Sequence, residues 1–371
     1  MSRSIAYNPL NASTQDIMNV IRANASYQYQ QYIPEVTKLM DQVAVGELIL
    51  GYPAAANEYC YQLINQVATM ALTYHTFRDP MRILKKRDLR LGETVEEVYV
   101  GMAKAVEFST DKAADRELKR TLPDVRAAFH LANVDFLYRV TIENTQLARA
   151  FTTDTGMEEL IGRIVDSIYR AIEYDEYLLF KYLIVKAFNS GEIYQRNITS
   201  GLGTDALHDA AIAFRAVSNQ MLFLNTDFNA AGVHVNTPRE DQVILMPAEF
   251  LAAFDVSVLA AAFNMDRAQF MGQLVIVDSF TAFDNERFSA IVDNTDAMEA
   301  VTDAELTAMA PVKAIIADKE FFQFYMYAYQ TGFREKEVAA GQYWNYFYRY
   351  SATAGTSPFS NCVAICQVVG Q

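Results

Sequence analysis

The stretch Met157–Asn189, MEELIGRIVDSIYRAIEYDEYLLFKYLIVKAFN, decides how the chain is read. Leu160, Ile164, Ile168, Ile172, Leu179 and Leu183 recur at helical spacing, with Glu158, Glu159 and Arg163 between them, and predict one unbroken helix. At about 1.5 Å per residue it forms a rod of roughly 50 Å, and Gly191 supplies its stop. With no partner helix of similar length in the sequence, the rod reads as the backbone of something flat, not as half of a coiled coil. Its carboxylates Glu173, Asp175 and Glu176 lack the Glu-x-x-His pattern of di-metal bundles, so they read as a solvated helix face.

Working outward, the stretch before Asn65 mixes short helical patterns with loops, and Ser13 is placed to cap a helix carrying Ile17, Val20 and Ile21. The run VATMALTYHTF at Val67–Phe77 reads as β-rich. Asp79–Asp124 is polar and interrupted, with too little apolar surface to bury itself, which predicts a projecting hairpin or loop. Within it, Thr94 and Glu97 fit a capping box, while Val95, Val98, Tyr99 and Val100 fit a strand. Ser200–Thr204, SGLGT, reads as a hinge; it lacks the lysine of a P-loop and the third glycine of a dinucleotide motif. An α/β region follows, with strands Gln242–Met246 and Gln273–Asp278, a helix opened by Pro247, one capped by Asp255 and a short one after Asp266. Glu320–Gln330 and Tyr343–Tyr350 read as two aromatic strands flanking a charged tip, and Ser360–Val369 as a closing strand.

Composition removes several function classes. The chain has 371 residues, 51% hydrophobic and 20% charged, enough for two to three globular domains. A net charge of −14 argues against a nucleic-acid-binding surface. That charge is uneven: Arg239–Glu305 holds thirteen acids and three bases, whereas Arg82–Arg126 holds eleven bases and nine acids. A cation-rich arm and an acidic body are able to pair between copies. The aromatics of Phe321–Tyr350 have little positive charge beside them and read as packing, not as a base-stacking platform. His75, His130, His208 and His234 make no HExxH or His-x-His spacing, so no catalytic, cofactor or metal site is expected. Cys60, Cys362 and Cys366 fit a reducing compartment, and four residues along a strand put Cys362 roughly 13 Å from Cys366, too far for a disulfide. Without a signal peptide or an apolar run of about 20 residues, the chain is expected to be soluble, to fold in the cytoplasm and to make no membrane contact.

Five segments in collinear order then carry a resemblance: DPMRILKKRDLRLGETVEEVY (Asp79–Tyr99), LPDVRAAFH (Leu122–His130), DSIYRAIEYDEY (Asp166–Tyr177), DVSVLAAAFNMDRAQFMGQLVIVDSF (Asp255–Phe280) and YWNYFYRY (Tyr343–Tyr350). Through most of its length the sequence resembles the major capsid proteins of phi-29-type podophages. Ending at Gln371, it is expected to lack the immunoglobulin-like domain that some relatives append. The resemblance implies an α+β, Hong Kong 97-type capsid fold. Residues 1–66 would be the N-terminal arm and helices, and 78–130 the extended loop over a neighbouring subunit. Residues 67–77, 131–204 and 321–355 would form the peripheral domain around a spine helix at about 157–189, and 205–320 with 356–371 the axial domain. It further implies a virion shell subunit, self-assembling as pentamers and hexamers into an icosahedral head in the host bacterial cytoplasm. Its partners would be scaffolding protein, portal and decoration or head-fibre proteins, and it would enclose double-stranded DNA without sequence-specific binding. A net-negative shell would avoid gripping that DNA.

The residues assigned to lattice contacts are Arg82, Lys85, Lys86, Arg87 and Arg90 in the loop and Arg334, Glu335, Lys336 and Glu337 at the tip. Reversing Lys85, Lys86 and Arg87 to glutamate is expected to impair shell closure and leave the subunit folded. Two other readings stand beside this one: an encapsulin-like cargo compartment, and an acidic α/β enzyme, for which no convergent polar residues are found.

Overall fold

The computed structural model describes residues 13–70, 78–90, 93–105, 122–152, 156–199, 204–254, 273–292, 298–327, 330–334 and 343–368. The chain divides into two compact units: 1–79, 136–175 and 329–350 form the first, and 80–135, 176–328 and 351–371 the second.

The first unit is led by helices α1 (Thr14–Asn24), α2 (Tyr27–Tyr32), α3 (Leu39–Gly51) and α4 (Pro53–Met70). Ser13 starts α1 as its sequence context predicts. Its hydroxyl accepts from Asp16 N while the Asp16 carboxylate accepts from Ser13 N, a reciprocal capping box. Ile17, Val20 and Ile21 are buried one turn apart. The chain leaving α2 is pinned back onto α1. Arg22 Nε donates to Ile33 O at 2.7 Å, and the Asn19 amide brackets Val36 with two bonds of 2.9 Å. Between these helices lies a core of Ile17, Ile21, Tyr59 and Leu63, closed by Leu147 of α5 (Asn144–Ala150), by Phe151 and Met157, and by Trp344. The buried Trp344 indole donates to Asn57 Oδ1 at 2.9 Å, the polar partner that a buried tryptophan requires.

Two expectations are corrected in this unit. Val67–Met70 is the end of α4, not a strand. Once Pro53 and the alanines after it have nucleated a helix, adding β-branched residues to an existing turn costs little. Residues 71–77 lie outside the described residues. The carboxylates of the long helix α6 (Gly156–Asn189) are buried, not solvated. Glu173 accepts from Asp79 N at 2.9 Å and Asp175 from the Tyr138 hydroxyl at 2.8 Å, so each desolvated charge has a donor. Helical spacing alone does not reveal that neighbouring segments cover this face.

Two glycines here have opposite consequences. A Cβ on Gly46 of α3 would stand 2.8 Å from the Phe151 ring, so Gly46→Ala forces the ring aside. Gly162 of α6 has open space around it. Gly46→Ala is therefore expected to destabilise the fold by about 1–3 kcal/mol. Gly162→Ala is expected to stabilise it by about 0.5–1 kcal/mol through helix propensity. Denaturant titration of the two variants reads both signs.

The second unit is organised by a five-stranded sheet in the order β4 (Tyr194–Thr199), β11 (Cys362–Val368), β7 (Val312–Asp318), β5 (Gln242–Pro247), β6 (Leu274–Val277). The outer pairs β4–β11 and β5–β6 are parallel and the inner pairs antiparallel. Strand β5 reads QVILMP and is buried on both faces, as a covered central strand should be. Phe214 and Val217 of α7 (Thr204–Gln220) and Met221 just after it pack on Ile244, Met246, Ala314, Ile316, Val363 and Ile365. Phe250 of α8 (Ala248–Ala253), Phe254 and Phe214 form an aromatic trio with centroids 5.6–6.4 Å apart. Cys362 and Cys366 sit in β11 as free, buried thiols. The helix expected after Asp255, the one after Asp266 and the Ser200–Gly203 hinge lie outside the described residues.

The long helix ends as predicted, with Gly191 at φ +82°, a left-handed turn that glycine adopts without strain. Near that end Lys181 is almost wholly buried and donates to Asp278 at 2.8 Å, with Tyr177 donating to the same carboxylate. Burial lowers the Lys181 pKa. Burial also pushes Asp278 up, but hydrogen bonds from Lys181, Tyr177 and the backbone outweigh it and hold the carboxyl below its usual range. A depressed folded-state pKa gives stability that is present above the unfolded value and lost as pH falls through the folded one. Asp278→Asn is therefore expected to cost about 1 kcal/mol near neutral pH, a figure kept small because the carboxylate is half exposed. It should also remove part of the stability loss below the ordinary carboxylate range; thermal melts across acid pH check both.

Helices α9 (Asn285–Val292) and α10 (Asp303–Ala308) complete this unit's helices among the described residues. Within the predicted first aromatic strand, Phe322–Met326 form β8. A further strand, β9 (Gln330–Arg334), takes in the start of the stretch expected to be a charged tip, which corrects that expectation. Both pair antiparallel with the longer β10 (Tyr343–Thr356): β9 with Asn345–Arg349, β8 with Ala352–Thr356. Strand β3 (Val134–Glu143) also pairs with β10. Phe321, Phe322, Phe324, Trp344, Tyr348 and Tyr350 are buried, as the packing reading of this aromatic band expects.

Candidate functional site

The segment that composition singles out begins with a 3-10 turn at Pro80–Leu84 and runs beside β8. Lys86 N donates to Phe324 O at 2.9 Å and Leu89 N to Met326 O at 2.7 Å, and Leu89 bridges Tyr327. Met81, Leu84 and Leu89 are buried by this docking, and the Tyr327 hydroxyl closes it by donating to Glu93 O at 2.8 Å.

Its cations divide into two sets. Lys85 turns inward to Glu176, whose side chain is 1% exposed, and Lys86 reaches Glu320 at 2.7 Å and Lys319 O at 3.0 Å. Arg82, Arg87 and Arg90 are exposed; Arg87 approaches Glu93 at 3.9 Å with 73% of its side chain in solvent. The triple reversal of Lys85, Lys86 and Arg87 is therefore expected to destabilise the subunit as well, because Lys85→Glu sets a carboxylate against a buried one. Arg334 lies in β9 opposite Asn345. Glu335, Lys336 and Glu337 lie outside the described residues.

Beyond this segment, β1 (Val95–Val100) and β2 (Val125–His130) form an antiparallel ribbon, so the strand reading of Thr94–Glu97 prevails over the capping box. Gly101 N donating to Asp124 O at 2.7 Å extends the pairing. The register Glu96–Phe129, Val98–Ala127, Val100–Val125 places these six residues on one face. The opposite face carries Val95, Glu97, Tyr99, Arg126, Ala128 and His130.

The two faces are inverted relative to ordinary soluble sheets. The polar one faces the protein. Gln323 donates to Glu97 at 2.6 Å, and Glu97 also contacts the His130 ring at 3.0 Å. Tyr99 stacks on Phe359 at 6.0 Å, and Arg126 donates to Ala231 O at 2.6 Å. The apolar face points to solvent, with Val98 55%, Val100 59%, Val125 55% and Phe129 65% exposed. Met102, Leu122 and Leu131 add exposed apolar surface near its ends. An exposed apolar sheet face of this kind marks an interaction surface. Lysine and arginine counting missed this face. The alternation of Val98 and Val100 with glutamates and tyrosine was its signal, and strand register was needed to align it with Phe129 and Val125.

Among the described residues no group of His, Cys, Asp and Glu is placed to hold a metal ion, and no helix is long and apolar enough to cross a membrane. Among the described residues, the exposed apolar ribbon face offers surface for association.

Comparison with known proteins points the same way. The sequence profile of the Phi29-like phage major capsid protein family matches residues 18–366. The major capsid protein of Bacillus phage GA-1 is 28% identical over 353 residues, spanning 94% of this chain and 68% of the relative. That of Bacillus phage PZA is 27% identical over 353 residues, spanning 94% and 72%. Among solved structures, the capsid of Staphylococcus phage Andhra superposes with a TM-score of 0.60 at 14% identity, covering 80% of this chain and 86% of that one. The capsid of cyanophage P-SCSP1u superposes with a TM-score of 0.52 at 12% identity, covering 80% and 91%. At such identities the structural likeness speaks for the fold.

Proposed function

The chain belongs to the Phi29-like phage major capsid protein family, with the α+β, Hong Kong 97-type capsid fold, and from this premise we propose that it is the repeating subunit of an icosahedral phage head. It is a major capsid protein of a tailed phage and a component of the virion. It works by assembly, as pentamers and hexamers, and carries out no reaction. The observation that carries the reading is the β1–β2 ribbon. Its polar face is satisfied within the subunit and its apolar face is left for another, so a second copy completes the surface.

In this reading residues 78–130 are the extended loop, laid over a neighbouring subunit, and 1–66 the N-terminal arm and helices. The helix at about 157–189 is the spine of a peripheral domain made of 67–77, 131–204 and 321–355. Residues 205–320 and 356–371 form the axial domain around five- and sixfold centres. Arg82, Lys85, Lys86, Arg87 and Arg90, with the Arg334–Glu337 tip, are the charged residues assigned to the lattice, the two lysines by holding the loop in place. Assembly takes place in the bacterial cytoplasm with scaffolding and portal proteins, and decoration or head-fibre proteins join the finished shell. Double-stranded DNA is enclosed without sequence-specific contacts, as the net charge of −14 favours. A cargo compartment is not favoured, because the family matched is that of phage head proteins.

The test is expression of the chain alone and with its scaffolding protein, followed by electron microscopy. Closed shells built from pentamers and hexamers are expected. A monodisperse monomer under both conditions overturns the reading.

A further inference from the structure

The docked stretch Pro80–Arg90 separates its lysines from its arginines. Both lysines are spent inside the subunit, on Glu176 and on Glu320 with Lys319 O. Between Pro80 and Arg90 the exposed cations are Arg82, Arg87 and Arg90. Their backbone is fixed: Lys86 and Leu89 are hydrogen-bonded to β8, Met81, Leu84 and Leu89 are buried, and the Tyr327 hydroxyl holds Glu93 O. The cost of ordering this stretch is thus met during folding and not at the moment of binding, which favours contact formation. A guanidinium is weakly hydrated, permanently charged and shaped to take a carboxylate on two parallel hydrogen bonds, so it suits an interface better than an ammonium group.

Acids of matching charge exist on the chain itself. Residues 239–305 hold thirteen acids and three bases, and Glu249, Glu286, Glu299 and Asp303 are exposed there. DNA phosphate is the other anion a head protein meets, but a chain of net charge −14 disfavours it on the whole. We infer that Arg82, Arg87 and Arg90 bind carboxylates of a second copy of this chain, with Glu249, Glu286, Glu299 and Asp303 as the acceptors. This rests on the shell-forming reading and names the partner chemistry of its loop.

The test compares shells of the unsubstituted chain with those of R82E/R87E/R90E and R82K/R87K/R90K, co-expressed with scaffolding protein and free of DNA. The glutamate variant is expected to give at least tenfold fewer shells from a normally folded subunit, and the lysine variant an intermediate yield. Raising salt from about 0.05 to 0.5 M should lower the unsubstituted yield, since screening weakens exposed ion pairs. Shells mixed from isotope-labelled and unlabelled Arg87→Lys subunits and treated with a carbodiimide should show the new amine joined to one of the four acids across labels. Equal shell yields for the glutamate variant, or crosslinks confined to one label, overturn the inference. Normal DNA-free shells that fail only when DNA is packaged overturn it in favour of phosphate. If the unsubstituted chain makes no shells, the shell-forming reading fails first and takes this inference with it.

Discussion

Val98→Asp combined with Phe129→Asp is expected to reduce shell yield at least 100-fold while the subunit stays folded. Both side chains stand on the solvent side of the β1–β2 ribbon, more than half exposed, and β-sheet register puts them on one face with Val100 and Val125. Within the isolated subunit they bury little, so their loss should shift stability by only about 0.5 kcal/mol. Across an interface each is worth about 1.5–3 kcal/mol when buried, and a carboxylate in its place adds a desolvation cost. Two such losses exceed about 3 kcal/mol per contact, which is more than 100-fold in that contact's equilibrium constant. A closed shell repeats the contact at every copy, so the defect compounds. Circular dichroism and thermal melts should match the unsubstituted chain, while gradient sedimentation and electron microscopy should show no closed particles. Normal heads from this variant would remove the ribbon's outer face from the assembly mechanism.

The second large effect runs the other way: Lys85→Glu is expected to lower the stability of the subunit itself by about 3–5 kcal/mol, the range found when a buried ion pair is broken by changing one partner. Lys85 is 16% exposed and Glu176 1%, and the lysine also approaches the Met326 sulfur at 3.7 Å. The replacement sets two carboxylates against each other where solvent screening is weak. Lys85→Met, which keeps the stem and removes the charge, should cost less, because it adds no repulsion. Arg87→Glu, at a side chain 73% exposed, should leave stability within about 0.5 kcal/mol. Chemical denaturation of the three variants orders them; equal stability of Lys85→Glu and Arg87→Glu would refute the anchoring role of Lys85.

The parts of this fold legible in the sequence are those where local and global preferences coincide. Leu160 to Leu183 repeat at helical spacing and form α6; Ser13 and Asp16 cap α1 reciprocally; Gly191 takes its positive φ; QVILM is a covered strand. The parts misread depend on segments distant along the chain. Glu173 is buried because Asp79 donates to it from 94 residues away, a pairing invisible to periodicity. Val67 and Thr69 have β-branched side chains that favour a strand, yet they continue a helix begun at Pro53. Lys85 and Arg87 are equivalent as charges in the sequence, and only the docking of their segment on β8 separates an anchor from a presented cation. The apolar ribbon face was half legible: alternation was present in Glu96–Val100, but the facing residues Val125, Ala127 and Phe129 are nearly thirty positions on and become neighbours only by register.

The place of β11 in its sheet has a consequence for timing. Residues 362–368 occupy the slot between β4 and β7, so strands made more than forty residues earlier have a gap between them until this segment leaves the ribosome. Until then the apolar row Ile244, Met246, Ala314 and Ile316 lacks Val363 and Ile365, and the sheet cannot close. The central slot of the sheet is thus filled late in synthesis, and the halves on either side of it become one layer only when residues 362–368 arrive.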